Sequence, residues 1–179
     1  MSEKEQLSLM ADYNQLMNQR IIKASSQLSE KDLLEDKGAF FKSVFHTLNH
    51  IMIGDILWLK RFTLHPAKFE CLLPLNDMDK PEALDELLFD NLADFQKQRS
   101  DLDQLIIEWC EELMPEDLDS VLHYKNFKGE THNKRLGGLI LHVFLHQIHH
   151  RGQVTTLLSQ QGIDFGETDI PELIPEIIV

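Results

Sequence analysis

The sequence is poor in cysteine, glycine and proline. Only Cys71 and Cys110 occur among its 179 residues, and they lie far apart. This excludes a disulfide framework and a thiolate metal knuckle, so we expect two reduced thiols. With eight glycines and six prolines, long stretches are free to form regular secondary structure. The length suits one helical domain spanning residues 1–179.

Basic residues and long apolar runs are also scarce. Seventeen Lys and Arg stand against thirty Asp and Glu, which gives a formal net charge of -13. Such a charge repels nucleic-acid phosphates and anionic membrane surfaces. The first ten residues contain no apolar export segment, and about eighteen uncharged apolar residues never run together. We therefore expect a cytoplasmic protein with neither nucleic-acid nor membrane partners.

Hydrophobic periodicity and capping signals predict four long helices. A capping box of Ser2 and Glu5 opens the first, which we expect to end near Leu28. The predicted ranges of the other three are about Gly38 to just before Pro66, Pro81 to Met114, and about Lys134 to Gln161.

Shorter elements are predicted between and after the long helices. Ser29 to Asp32 indicates a short capped turn, and Gly162 is suited to a left-handed helix C-cap. β-favouring residues around Lys128-Gly129 predict a short hairpin or irregular segment before the last helix. We therefore predict an all-α four-helix bundle with this small interruption.

The nine histidines are clustered rather than scattered. His142, His146, His149 and His150 all fall within LHVFLHQIHHRGQ. Residues four apart on a helix project from one face, so His146 and His150 can chelate one ion. Their stripe is otherwise apolar, and burial there would make polar partners obligatory.

A stable site needs a third ligand from another helix. His46 and His50 in helix two are the candidates, and the residues alone do not separate them. Gly54, one turn beyond His50, leaves room beside that imidazole for a metal, water or substrate. We interpret His65, His123 and His132 as surface or loop residues.

Nitrogen ligands define the chemistry of such a site. HQIHH has glutamine where an HExxH protease needs glutamate, and the sequence contains no Glu-x-x-His for a di-iron site. A mononuclear three-histidine site therefore fits better, with zinc the first choice and nickel the second. Neutral imidazoles leave the ion's charge uncompensated, which favours Lewis-acid activation of water, a thiol or a carbonyl. Asp55 lies off the His50 direction, so the catalytic residues stay unknown.

Three segments resemble the DinB family over nearly the whole chain: YNQLMNQRII, LNHIMIGDILWL and HVFLHQIHHRGQVTTLLSQQGIDFGETDI. The resemblance implies a DinB/YfiT-like four-helix bundle, commonly a homodimer, that binds a divalent metal. It implies the ligands His50, His146 and His150, and it favours His50 over His46. It also implies chemistry with a low-molecular-weight thiol, whose pKa the metal would lower.

Two functions follow as expectations. The first is a metal-dependent enzyme of thiol S-transferase-like or hydrolytic type, acting on a small molecule between helices two and four. The alternative is a non-catalytic metal-binding stress or interaction protein, which a closed fourth coordination position would favour. A hemerythrin-type di-iron carrier ranks behind both because His-x-x-x-Glu is absent. The roles of His142 and His149 stay open.

Overall fold

A computed structural model of the chain describes residues 1–177, which are mostly helical with one small two-stranded sheet. The α-helices are α1 (Glu3–Ser25), α2 (Glu30–Leu34), α3 (Val44–Phe62), α4 (Leu92–Glu112), α5 (Pro115–Asp119) and α6 (Leu136–Gln160). The strands are β1 (Val121–Lys125) and β2 (Thr131–Arg135), and 3-10 turns span Glu70–Asp77 and Ile170–Leu173. None of the helices in residues 1–177 is both long and apolar enough to cross a membrane.

The predicted start of α1 is confirmed, and its capping box is complete. The Ser2 hydroxyl accepts from the Glu5 backbone N–H, and the Glu5 carboxylate accepts from the Ser2 N–H. The predicted turn at Ser29 is also present, because the Ser29 hydroxyl caps α2 by accepting from the Asp32 N–H. Local side-chain caps therefore determine where both helices begin.

The second long helix begins later than predicted. Residues 38–43 form a tight turn, with a bridge between Ala39 and Lys42 and a positive φ of 64° at Lys42. Ser43 then caps α3 by accepting from the His46 N–H. The apolar residues of this turn extended the helical pattern in the sequence, so the prediction from Gly38 was wrong by about one and a half turns.

The third long helix also begins later, at Leu92 rather than Pro81. Residues 81–91 cross α3 instead, where the Leu84 carbonyl accepts from His50 and the Leu88 N–H donates to Asn49 Oδ1. Leucines at helical spacing occur in this segment, but tertiary hydrogen bonds hold its backbone in a non-helical path. This path brings the Leu84 carbonyl to the histidines.

The predicted hairpin and the last helix are confirmed. β1 and β2 pair antiparallel, with Tyr124 opposite His132, and Gly129 adopts a φ of 79° in the connecting turn. The second strand leads directly into α6. Gly162, with a φ of 73°, follows the end of α6, and the Ile163 N–H donates to the Leu158 carbonyl.

The long helices pack through a shared core. α1 contacts α4 and α6, and α3 contacts α6. Phe62 on α3 stacks on Trp109 of α4 with ring centroids 4.8 Å apart, and both are almost fully buried. Full burial of aromatic side chains of this size is a major source of fold stability.

A set of buried polar side chains lies inside this core and links α1, α3, α4 and α6. We call it the buried polar network; it consists of Asn14, Asn18, Asp55, Arg99, Asp103, Gln147 and Arg151. Arg99 pairs with Asp55 at 2.6 Å and with Asp103 at 2.9 Å. Arg151 donates to Asn14, Asn18 and Gln147. Burial raises the pKa of Asp55 to about 6, although Arg99 opposes that shift.

Candidate metal centre

Three histidines from two helices converge at one point. His50 of α3 and His146 and His150 of α6 each offer a ring nitrogen, and these atoms all lie within 4.8 Å of one another. We call this group the histidine triad. The predicted i, i+4 pair therefore faces the predicted third residue across the α3–α6 contact.

Two of the three imidazoles have a defined partner on the nitrogen that points away from the others. The Nδ1 atom of His50 lies 2.7 Å from the Leu84 carbonyl oxygen, to which it donates. The Nδ1 atom of His150 lies 2.8 Å from Gln153 Oε1 and donates there. With the proton on Nδ1, each Nε2 atom carries a free lone pair, the tautomer that a metal ligand needs.

His146 occupies a space that glycine provides. A Cβ atom added at Gly54 would lie 2.6 Å from His146 Cε1 and 3.0 Å from its Nδ1 atom. The sequence indicated that Gly54 leaves room beside His50, and the structure shows that the His146 ring fills this room. Any side chain at position 54 would therefore displace His146.

The triad is poised to stay unprotonated. Burial and, to a smaller extent, the neighbouring His150 and His50 together lower the pKa of His146 to about 3. Burial also lowers the pKa values of His50 and His150. Neutral imidazole is the form that binds a cation, so protons compete weakly for this site near neutral pH.

The donor set fits a divalent ion. His50 Nε2 and His146 Nε2 are 3.1 Å apart, close to the roughly 3.3 Å that two nitrogen ligands of one tetrahedral zinc would show. Two lone pairs at this distance repel each other unless a proton or a cation lies between them. Three nitrogen ligands suit zinc, nickel, copper or iron better than magnesium or calcium.

Phe41 covers one side of the triad. Its ring stacks on His50 with centroids 3.7 Å apart and meets His150 edge-on at 5.5 Å. The tight turn at residues 38–43 holds Phe41 there, while its neighbour Phe40 is 86% exposed. This contact could not be predicted from the sequence, because the apolar residues of the turn continue the helical pattern.

The other candidate histidines lie outside the triad. His46 Nδ1 contacts the capping hydroxyl of Ser43 at 2.8 Å, so His46 belongs to the start of α3. His142 is one turn before His146, and its ring lies 5.2 Å from Trp58. His149 is exposed and accepts a long 3.4 Å contact from Gln153 Nε2. None of these three histidines contributes a nitrogen to the candidate metal site.

His65 differs from the expectation in its burial. It lies in a turn after α3, as expected, but is only 3% exposed. Its Nδ1 atom accepts from the Ala67 N–H, so its Nε2–H donates to the Ser120 hydroxyl at 2.6 Å. This arrangement leaves His65 unable to deprotonate Ser120, and it serves packing rather than nucleophile activation.

A cavity of about 350 Å³ opens beside the triad, and His50 and His146 form part of its wall. The β1–β2 turn, α3 and α6 enclose it. Its other lining residues are Gly54, Leu57, Trp58, Arg61, Leu84, Asn126, Phe127, Lys128, Glu130 and His142. A pocket between helices two and four was expected from the sequence, but no periodic pattern reveals that the hairpin completes it.

Comparison with known proteins identifies the family of this chain. The sequence model of the DinB family matches residues 1–176. The chain belongs to the DinB family. A relative within it, "Protein DinB" of Bacillus subtilis (strain 168), is 23% identical over 163 residues, which cover 88% of this chain and 87% of that protein. No solved structure matches the chain. The resemblance of the three sequence segments to this family is thus confirmed.

Proposed function

We propose that this DinB-family chain binds one divalent ion through His50, His146 and His150 and uses it to activate a small molecule. The reaction class that we favour is thiol S-transferase-like or hydrolytic. The observation that carries this proposal is the open cavity against His50 and His146, together with the hydrogen bonds that hold the Nδ1 atoms of His50 and His150. Histidine ligands whose outer nitrogens are held by hydrogen bonds, with an open cavity on the metal side, are typical of catalytic rather than structural metal sites.

Zinc is the ion that we favour, with nickel second. When bound, such an ion supplies Lewis acidity that lowers the pKa of a thiol or water and polarises a carbonyl. The chain's own part is to present three neutral imidazoles, to hold two of them through Leu84 and Gln153, and to cover one side with Phe41.

A thiol co-substrate would have to come from outside the chain. Cys71 and Cys110 do not line the cavity. Burial raises the pKa of the Cys71 thiol, and nearby Glu112 raises it further, while burial raises the pKa of Cys110 to about 12. Both thiols therefore stay protonated, which supports a free low-molecular-weight thiol as the nucleophile.

A non-catalytic metal-binding stress or interaction protein is the second candidate. One observation favours it: within residues 1–177 the cavity offers a single carboxylate, Glu130, and the Asn126 amide already donates to it at 2.6 Å. Within the described residues, the cavity therefore presents no further carboxylate as a general base. An ion would then stabilise the α3–α6 contact without turnover.

We also propose how the helices assemble and how the chain associates. A four-helix bundle of α1, α3, α4 and α6 is supported by their shared core and buried polar network. A homodimer is supported by exposed apolar residues on α6, namely Leu141, Leu145 and Ile148. A cytoplasmic location is proposed from the sequence alone. Light scattering of wild type and Leu145→Glu would test the dimer, since loss of a dimeric mass is expected only in the variant.

The enzymatic proposal is tested by turnover that depends on the metal. Zinc-loaded protein, chelator-treated protein and His150→Ala would be assayed for consumption of a low-molecular-weight thiol with an electrophilic acceptor, and for ester hydrolysis. We expect activity in the loaded wild type alone. If loaded wild type turns over no thiol or ester while retaining stoichiometric metal, the non-catalytic candidate is correct.

A further inference from the structure

The cavity beside the histidine triad contains a cation without an anionic partner. Arg61 of α3 lines this cavity together with His50 and His146. Its guanidinium carbon lies 4.5 Å from the ring centroid of Trp58 and 5.4 Å from that of Tyr124. Among residues 1–177, no carboxylate lies within 4.0 Å of its nitrogens.

The other arginines of the chain all have acceptors. Arg20 pairs with Glu172, Arg99 with Asp55 and Asp103, and Arg135 with Asp119. Arg151 donates to asparagine and glutamine side chains of the buried polar network. Arg61 alone among the five arginines lacks such an acceptor in the part of the chain that the structure describes.

Stacking leaves the donors of Arg61 available. Aromatic rings contact the flat face of a guanidinium, whereas its N–H groups point outward in the plane. Arg61 is only partly exposed, and burial lowers its pKa, yet a guanidinium stays charged at neutral pH. A partly desolvated cation with free donors is favourable for an incoming anion, especially a planar carboxylate.

The surroundings strengthen the positive character of this wall. Lys128 lines the same cavity, so that Arg61 and Lys128 together outnumber Glu130, the one acidic lining residue within residues 1–177. His142 also lines the cavity; burial lowers its pKa, and nearby Lys134 and Arg61 lower it further, which favours the neutral ring. A locally positive wall in a chain with a net charge of -13 focuses anions at this point.

We infer that Trp58, Arg61 and Lys128 form a subsite for a carboxylate group of the molecule that reacts at the triad. We call it the Arg61 subsite. The carboxylate binds the guanidinium edge, and the apolar part of the molecule lies against Trp58 and Leu57. That this molecule reacts at the triad depends on the proposed function. The binding of its carboxylate is inferred from Arg61 and its surroundings alone.

Helix geometry gives an approximate size for this molecule. Arg61 follows His50 by eleven residues, which corresponds to roughly 16 Å along α3. Long side chains lean towards the helix N-terminus, and the Arg61 side chain is longer than that of His50, so the guanidinium lies somewhat nearer to the triad than this rise implies. The subsite therefore selects a molecule whose carboxylate is separated from its reacting atom by several bonds.

The test uses three probes of similar length on zinc-loaded protein: 6-mercaptohexanoate, 6-mercaptohexanol and hexanoate. Binding is followed by tryptophan fluorescence, because Trp58 adjoins the subsite while Trp109 is 1% exposed and gives a constant background. The variants are Arg61→Gln, Arg61→Lys and, as a matched loss of one positive charge on exposed α4 surface, Lys97→Gln. Circular dichroism verifies folding of each variant.

We expect wild type and Lys97→Gln to bind mercaptohexanoate about tenfold to hundredfold more tightly than mercaptohexanol. Arg61→Gln should lose this preference, and Arg61→Lys should keep part of it. Equal binding of the two thiols by wild type, an unchanged preference in Arg61→Gln, or no binding of either carboxylate would overturn the subsite. If hexanoate binds as tightly as mercaptohexanoate while the carboxylate preference persists, the subsite stands and thiol activation fails.

Discussion

Two polar clusters with opposite properties meet where α3 packs against α6. The histidine triad and the buried polar network both draw on α3 and α6, with His50 and Asp55 on α3. On α6, His146 precedes Gln147 and His150 precedes Arg151. Neighbouring helical residues differ in direction by about 100°, so two adjacent residues of α6 can face different clusters.

The difference lies in how each cluster is satisfied. In the buried polar network, Arg99 has carboxylates at 2.6 and 2.9 Å, and Arg151 has amide oxygens from two helices. In the triad, His50 Nε2 faces His146 Nε2 at 3.1 Å, and a cavity adjoins them. The complementary groups of the network stabilise the fold, even though Asp55 Oδ1 and Arg99 Nε have no hydrogen-bond partner within residues 1–177. The converging imidazole nitrogens of the triad instead leave a site for a ligand.

The largest effect should come from breaking the buried polar network. Arg99→Met leaves Asp55 and Asp103 as unpaired buried carboxylates, which should lower the free energy of unfolding by about 3–5 kcal/mol. Urea denaturation measures this loss. Arg135→Gln removes an exposed ion pair with Asp119 and should change stability by less than about 1 kcal/mol. Similar values for the two variants would contradict a structural role for the network.

Metal affinity at the triad should be sensitive to a steric change at Gly54. Gly54→Ala places a Cβ atom 2.6 Å from His146 Cε1, so the ring must move and metal affinity should fall about tenfold to hundredfold. Gly152→Ala is the matched control, because an added Cβ there meets nothing within 4 Å. Calorimetric zinc titration compares the two. Equal affinities would show that His146 does not need its present position to bind metal.

A smaller effect on zinc affinity should follow from removing the hydrogen bond that holds the His150 ring. Gln153→Met removes the acceptor of the His150 Nδ1 proton, which should weaken zinc binding by about tenfold while leaving the unfolding free energy nearly unchanged. Thr156→Val, on the same helix and exposed, serves as control. An unchanged zinc affinity in Gln153→Met would mean that the Gln153 contact does not fix the tautomer.

The smallest expected effect is a pH dependence of the unfolding free energy that arises from the buried polar network. Asp55 has a pKa of about 6 in the fold against 3.8 ordinarily, so the folded state holds its proton more tightly than the unfolded state. The contribution of this group is complete at low pH and declines as pH rises from about 4 to about 6. The stability difference between wild type and Asp55→Asn should therefore shrink over that interval in urea titrations. A difference that grows with pH would contradict the assignment.

The sequence was sufficient for features that depend on local spacing. The i, i+4 relation of His146 and His150, the Ser2–Glu5 capping box and the Gly162 stop are all determined within a few residues, and each is confirmed. The hairpin before α6 was predicted from its Lys128-Gly129 turn and is present. Helix type and face were therefore accessible from periodicity.

Features that depend on long-range contacts were not accessible. The segment 81–91 has leucines at helical spacing, yet its backbone binds His50 and Asn49 of α3 instead of forming a helix. Phe41 reaches the triad because Lys42 adopts a positive φ, which no periodic pattern reveals. The choice of His50 over His46 required the family resemblance, because only the α3–α6 packing distinguishes the two histidines.

The most direct test of the account is metal stoichiometry of untagged protein purified without chelators, measured by elemental mass spectrometry. Wild type and His149→Ala, which changes an exposed neighbour, should each carry about one zinc or nickel per chain. His50→Ala, His146→Ala and His150→Ala should each lose it while keeping their helical circular dichroism. A wild type without metal even after reconstitution, or full metal in any one of the three variants, would contradict the histidine triad as a metal centre.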